Sequence, residues 1–296
     1  MTRTTPAALL QNKRLYLALF HLLPGILNFK LMKFNPSKIL FFTVLVSAML
    51  LLSCKKVIEI NFEDTANQLV IEGIVTNASN MQTVKISKSV AVTAASNFPA
   101  VSGATVGISS NGTTYALREI SAGNYRVTGL RGQPGRTYQL NISYNGQNYT
   151  ATSTMPNQVR LDSLGLDVTS VVGKEFKSVS VAYTDPAATT NYYRFLLSVN
   201  NVPSANYFIY TDQLTNGRPV NRNLRDGDLN LKTGDVATIE MQCIDQNVYQ
   251  YWNGLSQNEN RGGASTTPAN PVSNISNGAL GYFSAHTAQT VQLTIK

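Results

Sequence analysis

The side chains able to do chemistry are few and badly spaced for it. Two cysteines, Cys54 and Cys243, and two histidines, His21 and His286, are all that 296 residues offer as soft nucleophiles, ligands or near-neutral bases. Zinc sites and catalytic triads need convergent partners that this supply does not provide. Asp226 and Asp228 flank Gly227 in the manner of the start of a calcium loop, but the spaced carboxylates and the closing glutamate of such a loop are missing, so a solvated turn is expected. Glu63 and Asp64 are adjacent acids, whereas glycosidase chemistry needs two carboxyl groups at a set separation. Gly129, Gly132 and Gly135 sit between strands with no helix to follow, so they read as loop turns and not as a phosphate cradle. No metal, cofactor or catalytic residue is expected, and the chain reads as a protein other than an enzyme.

Cys54 has a different setting. Lys33 and Lys38 precede an uncharged apolar run, Ile39 to Leu52, and then Ser53 and Cys54. That order is the n-region, h-region and cleavage site of a secretory signal. The run is shorter than the ~20 residues a spanning helix requires. Leu51-Leu52-Ser53-Cys54 looks like a bacterial lipobox, whose thiol takes a diacylglycerol, which makes Cys54 the expected lipidation site and the membrane its partner. An ordinary secretory signal with an incidental cysteine and a short buried helix are the alternatives. Residues 1–31 precede a complete signal, 32–53, and read as an over-extended gene start with translation beginning at Met32. With Cys54 acylated, Cys243 has no partner, so a disulfide framework is excluded. Cys243 alternates with Ile239 and Met241 and reads as a core residue.

The charge follows the leader. The formal net charge is +8, yet six basic residues, Arg3, Lys13, Arg14, Lys30, Lys33 and Lys38, lie before Cys54 in a stretch without acids. Subtracting those six leaves +2 for the remainder. Nucleic acid is therefore not an expected partner, because its phosphates demand a concentrated basic surface.

The elements that must position these groups alternate with period two. Strands are expected at Val57 to Phe62, Leu69 to Thr76, Thr83 to Ser89 and Tyr125 to Leu130. Asn145-Gly146 closes one hairpin after Tyr138, Leu140, Ile142 and Tyr144, and Asn111-Gly112 closes another. Met155-Pro156 closes that series, the pattern restarts at Val159 after a short polar joint, and strands are expected at Phe176 to Thr184, Tyr192 to Val199, Tyr207 to Asp212, Val236 to Ile244, Leu280 to Ala285 and Thr290 to Ile295. Asp245 is a good N-cap, and Val248, Tyr251, Trp252 and Leu255 follow at helical spacing, giving one helix near 245–257 whose stripe, Trp252 included, should face the sheet. The expected fold is mainly β: two antiparallel β-sandwich domains, 54–156 (immunoglobulin-like) and 157–296 (with the one short helix).

The start Cys54-Lys-Lys-Val-Ile-Glu-Ile, the strand Leu69-Val-Ile-Glu-Gly-Ile-Val and the stretch Asn270-Pro-Val-Ser-Asn-Ile-Ser-Asn-Gly-Ala-Leu-Gly-Tyr-Phe-Ser-Ala resemble the Bacteroidetes lipoproteins called domain of unknown function 4249, over essentially all of residues 54–296. The resemblance implies an outer-membrane lipoprotein acting as accessory or substrate-binding partner to a TonB-dependent transporter. It carries no catalytic residues over. Lys55 and Lys56 stand where surface-exported lipoproteins of these bacteria often place acids, so the membrane face stays open. The rival classes are a structural or adhesive envelope lipoprotein without ligand and, third, a hydrolase.

Gln257 to Asn277 is rich in Asn, Gly, Ser, Thr and Pro and long for an unstructured connection. Loops on rigid β scaffolds carry function. Asn258, Glu259 and Arg261 are accordingly the candidate partner-binding residues.

Overall fold

The computed structural model describes residues 67–79, 82–90, 98–259 and 270–296. The leader and the expected strand Val57 to Phe62 lie outside the described residues.

Alternation sets the first half. β1 (Leu69–Thr76) buries Leu69, Ile71 and Val75 on one side, and β2 (Thr83–Lys88) pairs with it antiparallel. β3 (Thr105–Ser110) and β4 (Thr113–Ala116) are joined at Asn111-Gly112. β5 (Arg118–Ser121) and β6 (Asn124–Arg126) continue the sheet beyond β2. β7 (Thr137–Tyr144) and β8 (Gln147–Thr154) meet at Asn145-Gly146, whose φ values of 49° and 72° are those of a type I′ turn. β6 ends sooner than the expected Tyr125 to Leu130, because the Gln82 side chain takes over the pairing: its Nε2 donates to Ala78 O and Leu130 O, 2.7 Å each. Leu130 is buried all the same.

The second half contains β9 (Leu161–Val171), β10 (Lys174–Thr184), β11 (Tyr192–Val199), β12 (Val202–Pro203), β13 (Phe208–Thr211), β14 (Pro219–Leu224), β15 (Val236–Ile244), the helix α1 (Gln246–Glu259) and β16 (Leu280–Thr294). β9 and β14 were not expected. Gly165 and Asp167 interrupt the sequence of β9 like turn residues, and β14 opens on Pro219, which an edge strand accepts at its first position.

The strands form a nine-stranded sheet with main order β12-β11-β15-β16-β1-β2-β6-β5, in which β13 also pairs with β11, and two smaller sheets, β4-β3-β7-β8 and β14-β10-β9. The smaller sheets cover separate hydrophobic cores. One core gathers Ile71, Val84, Ile108, Tyr125, Leu140, Met155 and Phe283. The other gathers Val179, Val181, Tyr193, Phe195, Ile239, Met241 and Ile295. The cores part between Met155 and Val159, at the Pro156 joint. The sheets do not part there.

β16 is the reason. Leu280 to Ala285 and Thr290 to Ile295, expected as two strands, are one 15-residue strand. Its first half pairs parallel with β1, from Val70↔Leu280 to Thr76↔His286, and its second half antiparallel with β15, from Cys243↔Thr287 to Val236↔Thr294. The polar middle, His286 to Gln289, looks like a turn in sequence, yet His286 and Thr287 are buried. Glycine is required near its start: a Cβ on Gly281, at φ 98°, would stand 2.0 Å from Ile71 O.

Candidate functional site

The reactive side chains are consumed by the sheet. Cys243 is buried in β15, its Sγ accepts the Val159 N–H at 3.3 Å, and burial pushes the thiol pKa up. His286 is 3% exposed, with Nδ1 2.9 Å from Ser284 Oγ. Burial first, and the Arg194 charge second, pull its imidazole down to about 3, so it is neutral at physiological pH. Asp226 closes a local turn, accepting the Asp228 N–H at 2.9 Å and the Ser204 hydroxyl. The Gly132 N–H donates to Thr76 O at 2.9 Å and the Gly135 N–H to Met155 O at 2.8 Å, which fastens that loop to the sheet. Among the described residues no three His, Cys, Asp or Glu side chains group as metal ligands.

The concentration of interacting polar and aromatic groups lies under α1. The residues of β11, β15, β16 and β1 that alternate with the core residues point to the opposite face. There Tyr192, Arg194, Gln242, Ile244, Tyr282 and Ile74 meet the helix. The helix begins where the sequence requires: Asp245 Oδ1 accepts the Val248 N–H at 2.9 Å, and Asp245 O accepts the Tyr249 N–H at 2.9 Å. Its stripe then places Trp252 against Tyr207, Tyr251 and Tyr282, with ring centroids 5.5, 5.4 and 5.0 Å away, and Tyr249 against Tyr192 at 4.8 Å. Trp252 is buried, as the helical spacing implied.

Arg194 completes the cluster. Its guanidinium lies 3.6 Å from the centroid of the Trp252 ring, a geometry in which a desolvated cation–π pair is worth about 2 kcal/mol. It donates to Gln242 Oε1 at 3.3 Å, and Gln242 Nε2 donates to Glu240 Oε1 at 2.6 Å. Among the described residues no carboxylate stands within ion-pair distance of it. Burial lowers its pKa, opposed by Tyr282 and Glu240. A cleft of about 260 Å³ beside the cluster is lined by Asn206, Tyr207, Tyr210, Asn223, Arg225 and Ser256. A second, of about 430 Å³, is lined by Glu72, Lys85, Asn124, Arg126 and Tyr282, with Lys85 paired to Glu72 at 3.5 Å. Sequence reasoning missed Arg194. The available signal was the density of aromatics, Tyr192, Tyr249, Tyr251, Trp252 and Tyr282, on elements that alternation and helical spacing had already located.

The expected partner loop is shorter than its composition suggested. Gln257, Asn258 and Glu259 form the last turn of α1, and Arg261 lies outside the described residues, as does Cys54. The return limb is fixed. Ile275 is buried and bridges Ala151, the Ser276 N–H donates to Thr150 O at 2.8 Å, and the Thr150 N–H donates to Ser276 Oγ at 2.8 Å. Asn274 acts as a substitute strand partner: Nδ2 donates to Phe283 O at 2.8 Å and Oδ1 accepts the Phe283 N–H at 2.9 Å. The loop therefore leaves from the aromatic cluster and returns along β8.

A family model described as Domain of unknown function (DUF4249) matches residues 55–292, and the chain belongs to that family. No curated protein matches it.

Proposed function

We propose that this member of the DUF4249 family is a lipid-anchored accessory protein of a TonB-dependent outer-membrane transporter, held in the outer membrane through Cys54 and working by binding, without catalysis. The order of basic residues, apolar run, Ser53 and Cys54 supports the anchor. Stable anchoring takes more than one acyl chain, which lipobox modification supplies. The burial of both Cys243 and His286 inside β strands favours binding over hydrolysis, since neither can reach a substrate from its place in the sheet. The partner surface is the end of α1 with the segment after it, Asn258, Glu259 and Arg261, because the sequence from Gln257 to Asn277 is rich in Asn, Gly, Ser, Thr and Pro and follows the helix that carries Trp252.

The test is isolation of the native chain from membranes in mild detergent, with bound proteins identified by mass spectrometry. A transporter should co-purify, and a Cys54→Ala chain should lose diacylglycerol labelling and leave the membrane fraction. Deletion of Arg261 to Thr267 should preserve folding and weaken transporter association about tenfold or more, the effect of losing one energetic anchor. A native chain recovered alone, with uptake unaffected by its loss, overturns the transporter role and leaves a structural envelope protein.

A further inference from the structure

We infer that β9 is a pairing edge for a second copy of this chain. The hairpin β9–β10 is closed by Val172-Gly173, with φ of 50° and 76°, and Val171 pairs with Lys174. In a two-residue hairpin the flanking pair exchanges both hydrogen bonds, and bonded and non-bonded pairs then alternate along the ladder. Thr169↔Phe176, Asp167↔Ser178 and Gly165↔Ser180 are therefore bonded to β10. Leu164, Leu166, Val168 and Ser170 aim their N–H and C=O groups away from it. β9 is the end strand of its sheet, and among the described residues no further backbone bond is made by residues 162–171.

Apart from Asp162 and Asp167, this edge carries few of the usual protections. It runs over an 11-residue strand without Lys, Arg or Pro. Its register shift lies at Ala182/Tyr183, at the far end from the turn. Beyond Val179, where β14 stops, no third strand joins the hairpin: Arg225 Nη2 donates to Thr169 Oγ1 at 3.3 Å and residues 225–231 share a cleft of about 740 Å³ with Lys174 to Lys177, while Val168, Val172 and Phe176 are exposed at 48%, 102% and 41%. Isolated two-stranded ribbons are marginal in water, so covering this one is favourable.

The sequence of β9 is complementary to itself. An antiparallel two-fold through Leu166 sets Leu166 against Leu166 of the second copy, and Leu164 against the second copy's Val168. All of these residues present free backbone groups, and each such pair exchanges two hydrogen bonds. Leu164 and Leu166 pack on their own core, opposite Val181 and Val179, so the apolar row would continue across the dyad. Asp167 falls opposite the second copy's Gly165, and Asp162 opposite its Ser170, so no acids meet. A slip of two residues, which again pairs outward-facing groups, would put Asp167 against Asp167, which like-charge repulsion disfavours. The two three-stranded sheets would become one of six strands with closed symmetry.

The measurement is the mass of the full chain in detergent, by native mass spectrometry and light scattering, together with hydrogen exchange as a function of concentration. A dimer is expected, with the Leu164, Leu166, Val168 and Ser170 amides protected as concentration rises. Val168→Pro removes an outward donor and no bond to β10. It should raise the dimer dissociation constant at least about tenfold while leaving the circular dichroism spectrum native. Val168→Lys, an edge charge at a half-exposed position, should do the same and covers the case in which the proline variant fails to fold. A wild-type monomer at tens of micromolar, a dimer that survives both variants, or a complex with a different protein at this edge instead of a second copy would each overturn the inference.

Discussion

The two long hairpins of this protein are made alike and finished differently. β7–β8 turns on Asn145-Gly146, and the outer edge of β8 is sealed by Ile275 and Ser276. Across the interior, Ser153 Oγ of β8 accepts the Ala285 N–H at 2.8 Å and donates to Asp245, which ties the hairpin to β16 and to the helix cap together. β9–β10 turns on Val172-Gly173, leaves β9 without an outer partner and extends past its own sheet. The same backbone motif thus serves as wall in one place and as free arm in the other. What separates them is which backbone groups find a partner.

The strongest way to break the comparison is acid. His286 follows Ala285, the residue that receives the sealed hairpin, and its pKa falls from an ordinary 6.5 to about 3 in the folded chain. A folded-state pKa below the unfolded one means that the unfolded chain binds the extra proton first. The associated stability is therefore complete above about pH 6.5 and is lost as pH falls toward 3. For a fully buried ring the loss is on the order of several kcal/mol. Denaturant titrations at pH 7 and pH 4 should reveal it, and His286→Gln should flatten the dependence. Hydrogen exchange at pH 4 should open β8 and the first half of β16 before the β9–β10 ladder. Opening in the reverse order would place the acid-sensitive seam elsewhere.

Unsealing the edge comes next in size. Ile275→Ala removes a buried side chain and leaves a cavity beside Ala151, at a cost of about 2–4 kcal/mol measured by denaturant unfolding. Its signature should be local as well as global, with β8 amides exchanging faster and those of β9 unchanged. Phe176→Ala on the free arm, where the ring is exposed and meets Lys174 5.4 Å away, should cost less than about 1 kcal/mol in the same assay.

How much of this could be read beforehand follows the same division. β1, β7, β8, β11 and β15 were legible because one face is apolar and the other polar, so that period two is visible in the residues themselves. The helix was legible from Asp245 and the Val248, Tyr251, Trp252, Leu255 spacing. β9 was missed because Gly165 breaks its pattern; a Cβ there would meet only Ser180 Oγ, at 2.7 Å. The unity of β16 was hidden because buried polar residues, Ser284, His286 and Thr287, occupy its middle, and composition alone cannot tell a satisfied buried histidine from an exposed one. Arg194 was hidden for a third reason. A charged residue between Tyr193 and Phe195 signals the solvent face of a strand, and only the packing of α1 on that face turns it into the half-buried neighbour of Trp252.

The smallest effect offers the sharpest test, because it exchanges one feature between the hairpins. Asn145 and Val172 occupy the same place in their turns, at φ 49° and 50°. Asparagine tolerates this left-handed region, while a β-branched side chain there is strained. Val172 is 102% exposed, so its side chain makes no contact that would compensate. Val172→Asn should therefore stabilise the chain by about 1 kcal/mol, and Asn145→Val should destabilise it by about as much. At this chain length each change moves the melting temperature by roughly 2–4 °C, in opposite directions. If Val172→Asn leaves the melting temperature unchanged in the isolated chain, the valine carries no strain there. If it stabilises the chain and also weakens self-association, the strained tip contributes to the interface itself, and the arm reaches the second copy beyond the ends of the paired β9 strands.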